Sequence, residues 1–343
     1  MLEILETYDA LNDGLIPAAA LRSSGVNSSA IGALVHRGEL VRVRTGWYVL
    51  GPKWRAEQPD GRYRFLVRAT AAHAGSELLL SHHSAAVMHG LPLIGAWPAT
   101  THALFPEARG GSSHPLLTAH RGMPDPTSTR VAGVKVTGLA RTVVDMAAGS
   151  SFLIGVAMVD HVLHQEASRL KAQRETGIRG MPPITKDTLL TELAVVHPRV
   201  GWRAAHRAIA FANELSANAG ESLSRVRFEE LGFEIPELQV RFDVNGRTFY
   251  VDFLWRSVRK IGEFDGDMKY TLAAVMDGKD AAGVVKAEKK REDLLRPLVN
   301  SFDRWDWDRA FNSQAFYRFL CEKGVPRAQV LRPRKHLPGA ALV

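Results

Sequence analysis

At 343 residues, with 45% hydrophobic and 23% charged residues, the chain is sized and composed for two or three folded globular domains, which excludes a disordered chain. Its net charge of +8 favours a polyanionic partner. The one cysteine, Cys321, excludes a disulfide framework and a thiolate metal cluster, and no apolar run is long enough to cross a bilayer.

The segment from Met1 to Ala10 starts acidic and lacks a signal-peptide layout, so a cytoplasmic location without a membrane partner is expected. Its apolar residues Leu2, Ile4, Leu5 and Tyr8 predict a short helix, broken by Asn12-Asp13-Gly14. Ile16 to Leu21 reads as a second helix with Pro17 in its first turn. A third helix, Ser29 to Arg37, has Asn27 or Ser28 as its cap, carries Ile31, Leu34 and Val35 on one face, and stops at Gly38. Leu40 to Leu50 alternates around Thr45-Gly46, a hairpin pattern.

This order is that of a winged helix-turn-helix, whose third helix enters the major groove of duplex DNA while the hairpin touches phosphates. Asn27, Ser28, Ser29 and His36 are expected near bases, and Arg37, Arg42 and Arg44 on the backbone. Between Arg22 and Arg55 the basic residues also include Lys53, against a single acid, Glu39. The alternative is a protein-interaction module whose arginines form a solvated face. Leu21 through Val26, Arg37 through Arg42 and Gly46-Trp47-Tyr48 resemble the N-terminal domain of AbiEi-type antitoxins, the DNA-binding half of some abortive-infection toxin–antitoxin pairs. The resemblance implies a toxin–antitoxin or phage-defence setting, with a cognate toxin as a partner beside double-stranded DNA.

In the middle segment, Tyr63 to Ala74 reads as a helix, and a further helix is capped by Ser81 and stopped by Gly90. Thr101 to Phe105 and Gly133 to Thr137 read as strands, and Leu139 to Ala148 as a helix entry. This block also resembles the region that follows the winged helix in AbiEi-type proteins. His82, His83 and His89, and Asp160, His161 and His164, lack a convincing ligand triad and read as hydrogen-bonded structural groups rather than metal ligands. Arg141 and Asp145, at i, i+4, read as a helix-surface pair. Arg169 to Pro183 is charged and proline-bearing, as in a linker.

The C-terminal segment reads as a helix from Gly201 to Leu215, a second from Gly220 to Gly232, and strands Leu238 to Val244 and Phe249 to Trp255 joined by the turn Asn245-Gly246. A helix from Val284 to Val299 and a last strand from Ser301 to Trp307 follow. With Ser257-Val258 as the tip of the next hairpin, Asp252 lies across from Glu263, and Asp265 shares the face of Glu263. Glu221, on the preceding helix, can reach the same cluster. Facing carboxylates repel unless a cation lies between them, and a divalent metal beside a lysine, Lys269, suits phosphodiester chemistry. The alternative is an acidic hairpin neutralised by Arg256, Arg259 and Lys260.

Gly220-Glu221-Ser222 with Ser224-Arg225, Asp252-Phe253 with Trp255, Gly262 through Gly266 with Lys269-Tyr270, Glu288-Lys289 with Arg291 through Asp293, and Arg304-Trp305 with Trp307 resemble the Vsr-like nuclease domain of actinobacterial proteins that pair it with an AbiEi-type N-terminus. The resemblance implies a Mg²⁺-dependent site with Asp252 and Glu263 as ligands, Asp265 and Glu221 as further or water-mediated ligands, and Lys269 orienting water or steadying developing charge. Two departures stand out. Asp265 occupies the position where the common nuclease motif has lysine, and Lys269 lies near the position of a histidine in Vsr-type repair enzymes.

The expected fold is α+β or α/β multidomain: a winged helix-turn-helix (1–55), an AbiEi-like α/β middle region (56–168), a linker with partial helix (169–200), a restriction-endonuclease-like core with a mixed sheet (201–320) and a basic tail (321–343). The expected function is DNA binding with a metal-dependent endodeoxyribonuclease site. The alternative is a non-catalytic AbiEi-type transcriptional regulator whose nuclease-like domain is inert.

Overall fold

A computed structural model describes residues 2–74, 77–106, 113–114, 116–177, 180–196, 200–266 and 281–328. The described residues form a mixed α/β protein with three sheets, two of them mixed, and none of their helices is long and apolar enough to cross a membrane. The chain divides into two compact units, Met1–Ala217 and Asn218–Val343.

The first unit opens with α1 (Leu2–Leu11), β1 (Ile16–Pro17), α2 (Ala18–Ser23), α3 (Ser28–His36), β2 (Leu40–Arg44) and β3 (Trp47–Leu50). Ile16 and Pro17, expected to begin a helix, instead pair with Tyr48 and Trp47 as the edge of an antiparallel sheet ordered β1-β3-β2. Proline lacks an N–H, so an edge strand suits it, and its extended backbone (ψ 134°) leads into α2. Leu5, Ile16, Leu21, Val26, Ile31, Leu34 and Leu40 close the core beneath these elements. Gly38 (φ +71°) and Gly46 (φ +80°) make the turns that a side chain would strain.

The unit continues through α4 (Gly51–Ala56), α5 (Pro59–His73), β4 (Leu79–Leu80), α6 (His82–Met88), β5 (Thr101–Phe105), β6 (Ser113–His114), β7 (Leu117–Arg121), β8 (Thr129–Val131) and β9 (Val134–Val136). Their sheet runs β6-β7-β5-β4-β9-β8, parallel at β5–β7 and β4–β9. Helices α7 (Leu139–Gly149), α8 (Phe152–Thr176), α9 (Lys186–Val196) and α10 (Trp202–Phe211) complete it. The expected linker from Arg169 is helical as far as Thr176, where Gly177 (φ +69°) ends α8. The expected domain start at 201 also moves: α10 packs on α7, α8 and α9, burying Ala205, Ala208 and Ile209, so the division falls after it.

The second unit contains α11 (Ala219–Glu230), β10 (Glu237–Val244), β11 (Arg247–Trp255), β12 (Lys260–Phe264), α12 (Ala281–Leu295), β13 (Ser301–Trp305), α13 (Trp307–Phe311) and α14 (Ser313–Glu322). Its sheet is ordered β10-β11-β12-β13, antiparallel until the last pair, which is parallel and spans the connection through α12. The helix expected to reach Val299 ends at Leu295 in a 3₁₀ turn containing Pro297, and the last strand ends at Trp305, where Asp306 caps α13. Phe228, Phe253, Trp255, Trp305 and Phe316 form one aromatic cluster, and Leu254, Ile261, Leu295 and Phe302 another core cluster. A Cβ on Gly262 would come within 2.5 Å of the Trp305 ring, so the aromatic cluster requires glycine there.

Candidate functional site

The pairs Phe253↔Gly262, Leu254↔Ile261 and Trp255↔Lys260 fix the β11–β12 register, and the next step of that ladder sets Asp252 opposite Glu263. The expected tip, Ser257-Val258, is replaced by a 3₁₀ turn at Arg256–Val258 followed by left-handed Arg259 (φ +50°), and the register is unaffected. Glu263 pairs in turn with Arg304 on β13. On the other side, Leu238↔Phe253 and Val240↔Val251 bracket Gln239 opposite Asp252. A polar row of Gln239, Asp252, Glu263 and Arg304 therefore crosses the sheet, one residue from each strand.

Each acid has a different environment. Asp252 Oδ2 accepts the Phe264 N–H at 3.0 Å and its Oδ1 accepts from Gln239 Nε2 at 3.3 Å. Burial pushes the Asp252 carboxyl up to about 6, helped by the Glu263 charge and opposed by the Phe264 hydrogen bond. Glu221 sits in the first turn of α11, 3% exposed, where Asn218 caps the helix by accepting its N–H at 3.0 Å and donates Nδ2 to Glu221 Oε1 at 2.7 Å. Gln239 Nε2 also lies 3.5 Å from Glu221 Oε2.

Glu263 is held by two guanidiniums. Arg291 donates to its two oxygens at 2.5 and 2.9 Å, and Arg304 Nη2 donates to Oε2 at 2.8 Å. Glu288 accepts from the same two arginines, at 2.8 Å from Arg291. Asp265 lies 3.5 Å from Arg304 Nε. Burial pulls the Arg304 guanidinium down, but Glu263, Asp265 and Glu288 more than offset it and hold it above its ordinary value.

The alternative neutralisation by Arg256, Arg259 and Lys260 does not occur. Arg256 pairs with Glu237, Arg259 donates to the Leu298 carbonyl, and buried Lys260 donates to Ser301 and Asp303. Lys269 lies outside the described residues.

Magnesium takes hard oxygens, commonly one or two carboxylates completed by water. Glu221 and Asp252, both turned toward one carboxamide, have that donor chemistry. Glu263 and Asp265, expected as ligands too, are engaged by arginines in this structure. Among the described residues, no group of three or more histidine, cysteine or acidic side chains surrounds a single metal position.

In the first unit, the residues expected at DNA have distinct fates. Ser28, Ser29 and His36 are exposed on α3. Asn27 Oδ1 is committed to the helix cap, accepting the Ala30 N–H at 2.9 Å. Arg37 is exposed and paired with Glu39, and exposed Arg42 donates to Thr45 Oγ1 at 3.0 Å. Arg44 reaches back to Thr70 Oγ1 on α5 at 3.1 Å, and burial lowers its affinity for the proton.

The same unit holds a polar cluster that the spacing of residues did not reveal. His82 and His83 from α6 meet His102 from β5 and His120 from β7. His82 stacks on His120 at 3.6 Å, and His102 Nδ1 lies 2.8 Å from His120 Nε2. Burial first, then mutual repulsion, lowers His82 well below the usual imidazole range, His102 to about 3 and His120 to about 4. Arg141 and Asp145, read as a surface pair, are 6% exposed and bonded through Arg141 Nε at 3.0 Å. In the second histidine set, Asp160 accepts the Asn213 N–H, and His164 Nδ1 contacts the Glu214 carbonyl.

No known family model matches the chain, and no curated protein matches it.

Proposed function

We propose that the chain binds duplex DNA through its first 55 residues and cuts DNA with a Mg²⁺-dependent centre in its second unit. The segment α1 to β3 has the element order of a winged helix-turn-helix, with exposed Ser28, Ser29 and His36 on α3 and Arg42 on the hairpin. The order α11-β10-β11-β12-α12-β13 is that of a restriction-endonuclease-like core. The observation that carries the reading is the polar row, which sets half-buried Asp252 beside buried Glu263, with Glu263 held by two guanidiniums, at the centre of that sheet.

Asp252 and Glu221 are the residues that would hold the ion, which when bound polarises a phosphate oxygen and lowers the pKa of water. Gln239 and the Phe264 N–H orient the Asp252 carboxylate. Glu263 and Glu288 fix the Arg291 and Arg304 guanidiniums, whose planar forks match phosphate oxygens. Incubating purified protein with supercoiled plasmid and Mg²⁺ tests the assignment. Wild type should nick the plasmid, and Asp252→Ala should lose about 100-fold or more of the rate, the scale expected when a catalytic electrostatic group is removed. Identical rates for the two proteins remove the catalytic assignment.

One observation favours a second reading. Glu263 already has cationic partners, as in a sheet that no longer needs a metal. In that reading the chain is an AbiEi-type regulator that binds its own operator beside a toxin gene, and the second unit is inert. Both readings require DNA contact. In gel shifts, Arg42→Ala should weaken binding and reduce the salt slope by about 1, as loss of one phosphate contact does. An unchanged affinity and slope would place Arg42 off the DNA.

A further inference from the structure

We propose that Gln239 is the positioning residue of the acidic pair, its carboxamide holding Glu221 and Asp252 around the place of a divalent cation. The inference rests on the nuclease reading and deepens it. Gln239 sits in mid-strand, and its neighbours Leu238 and Val240 keep one unbroken register with Phe253 and Val251. Its own backbone is nevertheless left-handed, at φ +48°. The flanking register inserts no residue that would require such a turn, and side chains other than glycine rarely adopt it.

What the distortion achieves is visible in the side chain. Nε2 lies 3.3 Å from Asp252 Oδ1 and 3.5 Å from Glu221 Oε2, one donor group between two acids from different elements. A neutral amide can donate to both carboxylates without placing a fixed charge between them. The other end of the same carboxamide is a hard oxygen. Turning the amide about its last torsion replaces the donor with Oε1 and converts the bridge into a third oxygen ligand of the kind calcium and magnesium accept. Gln239 thus serves two states: as a donor it holds the acids together, and as an acceptor it completes the donor set.

Calcium titration calorimetry on the full chain, without DNA, tests this apart from catalysis. Wild type should bind Ca²⁺ and Asp252→Asn should not. Gln239→Gly accepts the left-handed backbone and removes only the carboxamide. It should bind Ca²⁺ at least tenfold more weakly while still unfolding cooperatively in EDTA. Gln239→Glu restores an oxygen and should recover the affinity. Wild-type affinity in Gln239→Gly, or failure of Gln239→Glu to recover, overturns the role of Gln239 alone. Absence of Ca²⁺ binding by wild type overturns the cation site itself, and the proposal with it.

Discussion

Acidification from pH 7 to pH 5 should loosen the first unit around α6, β5 and β7, with hydrogen-exchange protection there falling before that of the second unit. The cause is the imidazole cluster. His82, His102 and His120 all have folded-state proton affinities below the ordinary value of 6.5. The unfolded chain therefore binds more protons than the folded one below pH 6.5, and the stability present above that value is lost as pH falls toward the folded-state values. Each such histidine removes at most about 1.4 kcal/mol per pH unit, and partly exposed His120 less.

Asp145 acts in the opposite direction. Burial raises it to about 6 against the pull of Arg141, so it favours the folded state as pH falls from about 6 to 3.8. Two or three histidines against one aspartate leave a net loss on the order of 2 kcal/mol per pH unit, large beside a typical domain stability of about 5–15 kcal/mol. Among the described residues no carboxylate is ion-paired with these imidazoles, and Asp145 accepts from Arg141. The His102–His120 contact needs one N–H and one bare nitrogen, which a doubly protonated pair cannot supply. A His102→Asn/His120→Asn variant should show a flatter pH profile. Equal protection of α6 at pH 7 and pH 5 in wild type would contradict this account.

Removing Arg304 should cost the second unit on the order of 3 kcal/mol, because it takes a partner from a buried carboxylate. Glu263 is 4% exposed, and Arg304 reaches Glu263, Glu288 and Asp265 together. Arg291 still holds Glu263 in Arg304→Met, so the fold should survive. The double variant Glu263→Gln/Arg304→Met should be less destabilised than the sum of its single variants, since neither partner is then left charged and alone. Urea denaturation of the four proteins measures the coupling. Strict additivity would mean that the ion pair is incidental to the sheet.

The sequence exposed local relationships and concealed distant ones. Asp252 opposite Glu263 was legible because a short hairpin with alternating residues fixes its own register, even though the turn proved to be a 3₁₀ turn. Arg291 and Arg304 were not legible as partners of Glu263, because they lie 28 and 41 residues away in sequence. His102 and His120 escaped notice for the same reason: β5 and β7 are parallel neighbours, and that pairing leaves no mark on either strand's pattern. Arg141 and Asp145 have i, i+4 spacing whether their face is wet or dry, and α7 is buried from Arg141 to Ala147. Gln239 read as an ordinary strand residue because glutamine, unlike glycine, does not mark a left-handed backbone. Pro17 was misassigned because proline suits both a helix's first turn and an edge strand.

The claim at the centre of this account is that a divalent ion sits on Asp252 and Glu221 rather than on Glu263 and Asp265. Electron paramagnetic resonance of Mn²⁺ titrated into the full chain measures this directly. Wild type and Asp265→Asn should bind the ion, while Asp252→Asn and Glu221→Gln should leave its free six-line spectrum unchanged. Binding that survives both Asp252→Asn and Glu221→Gln, or that disappears only in Asp265→Asn, would contradict it.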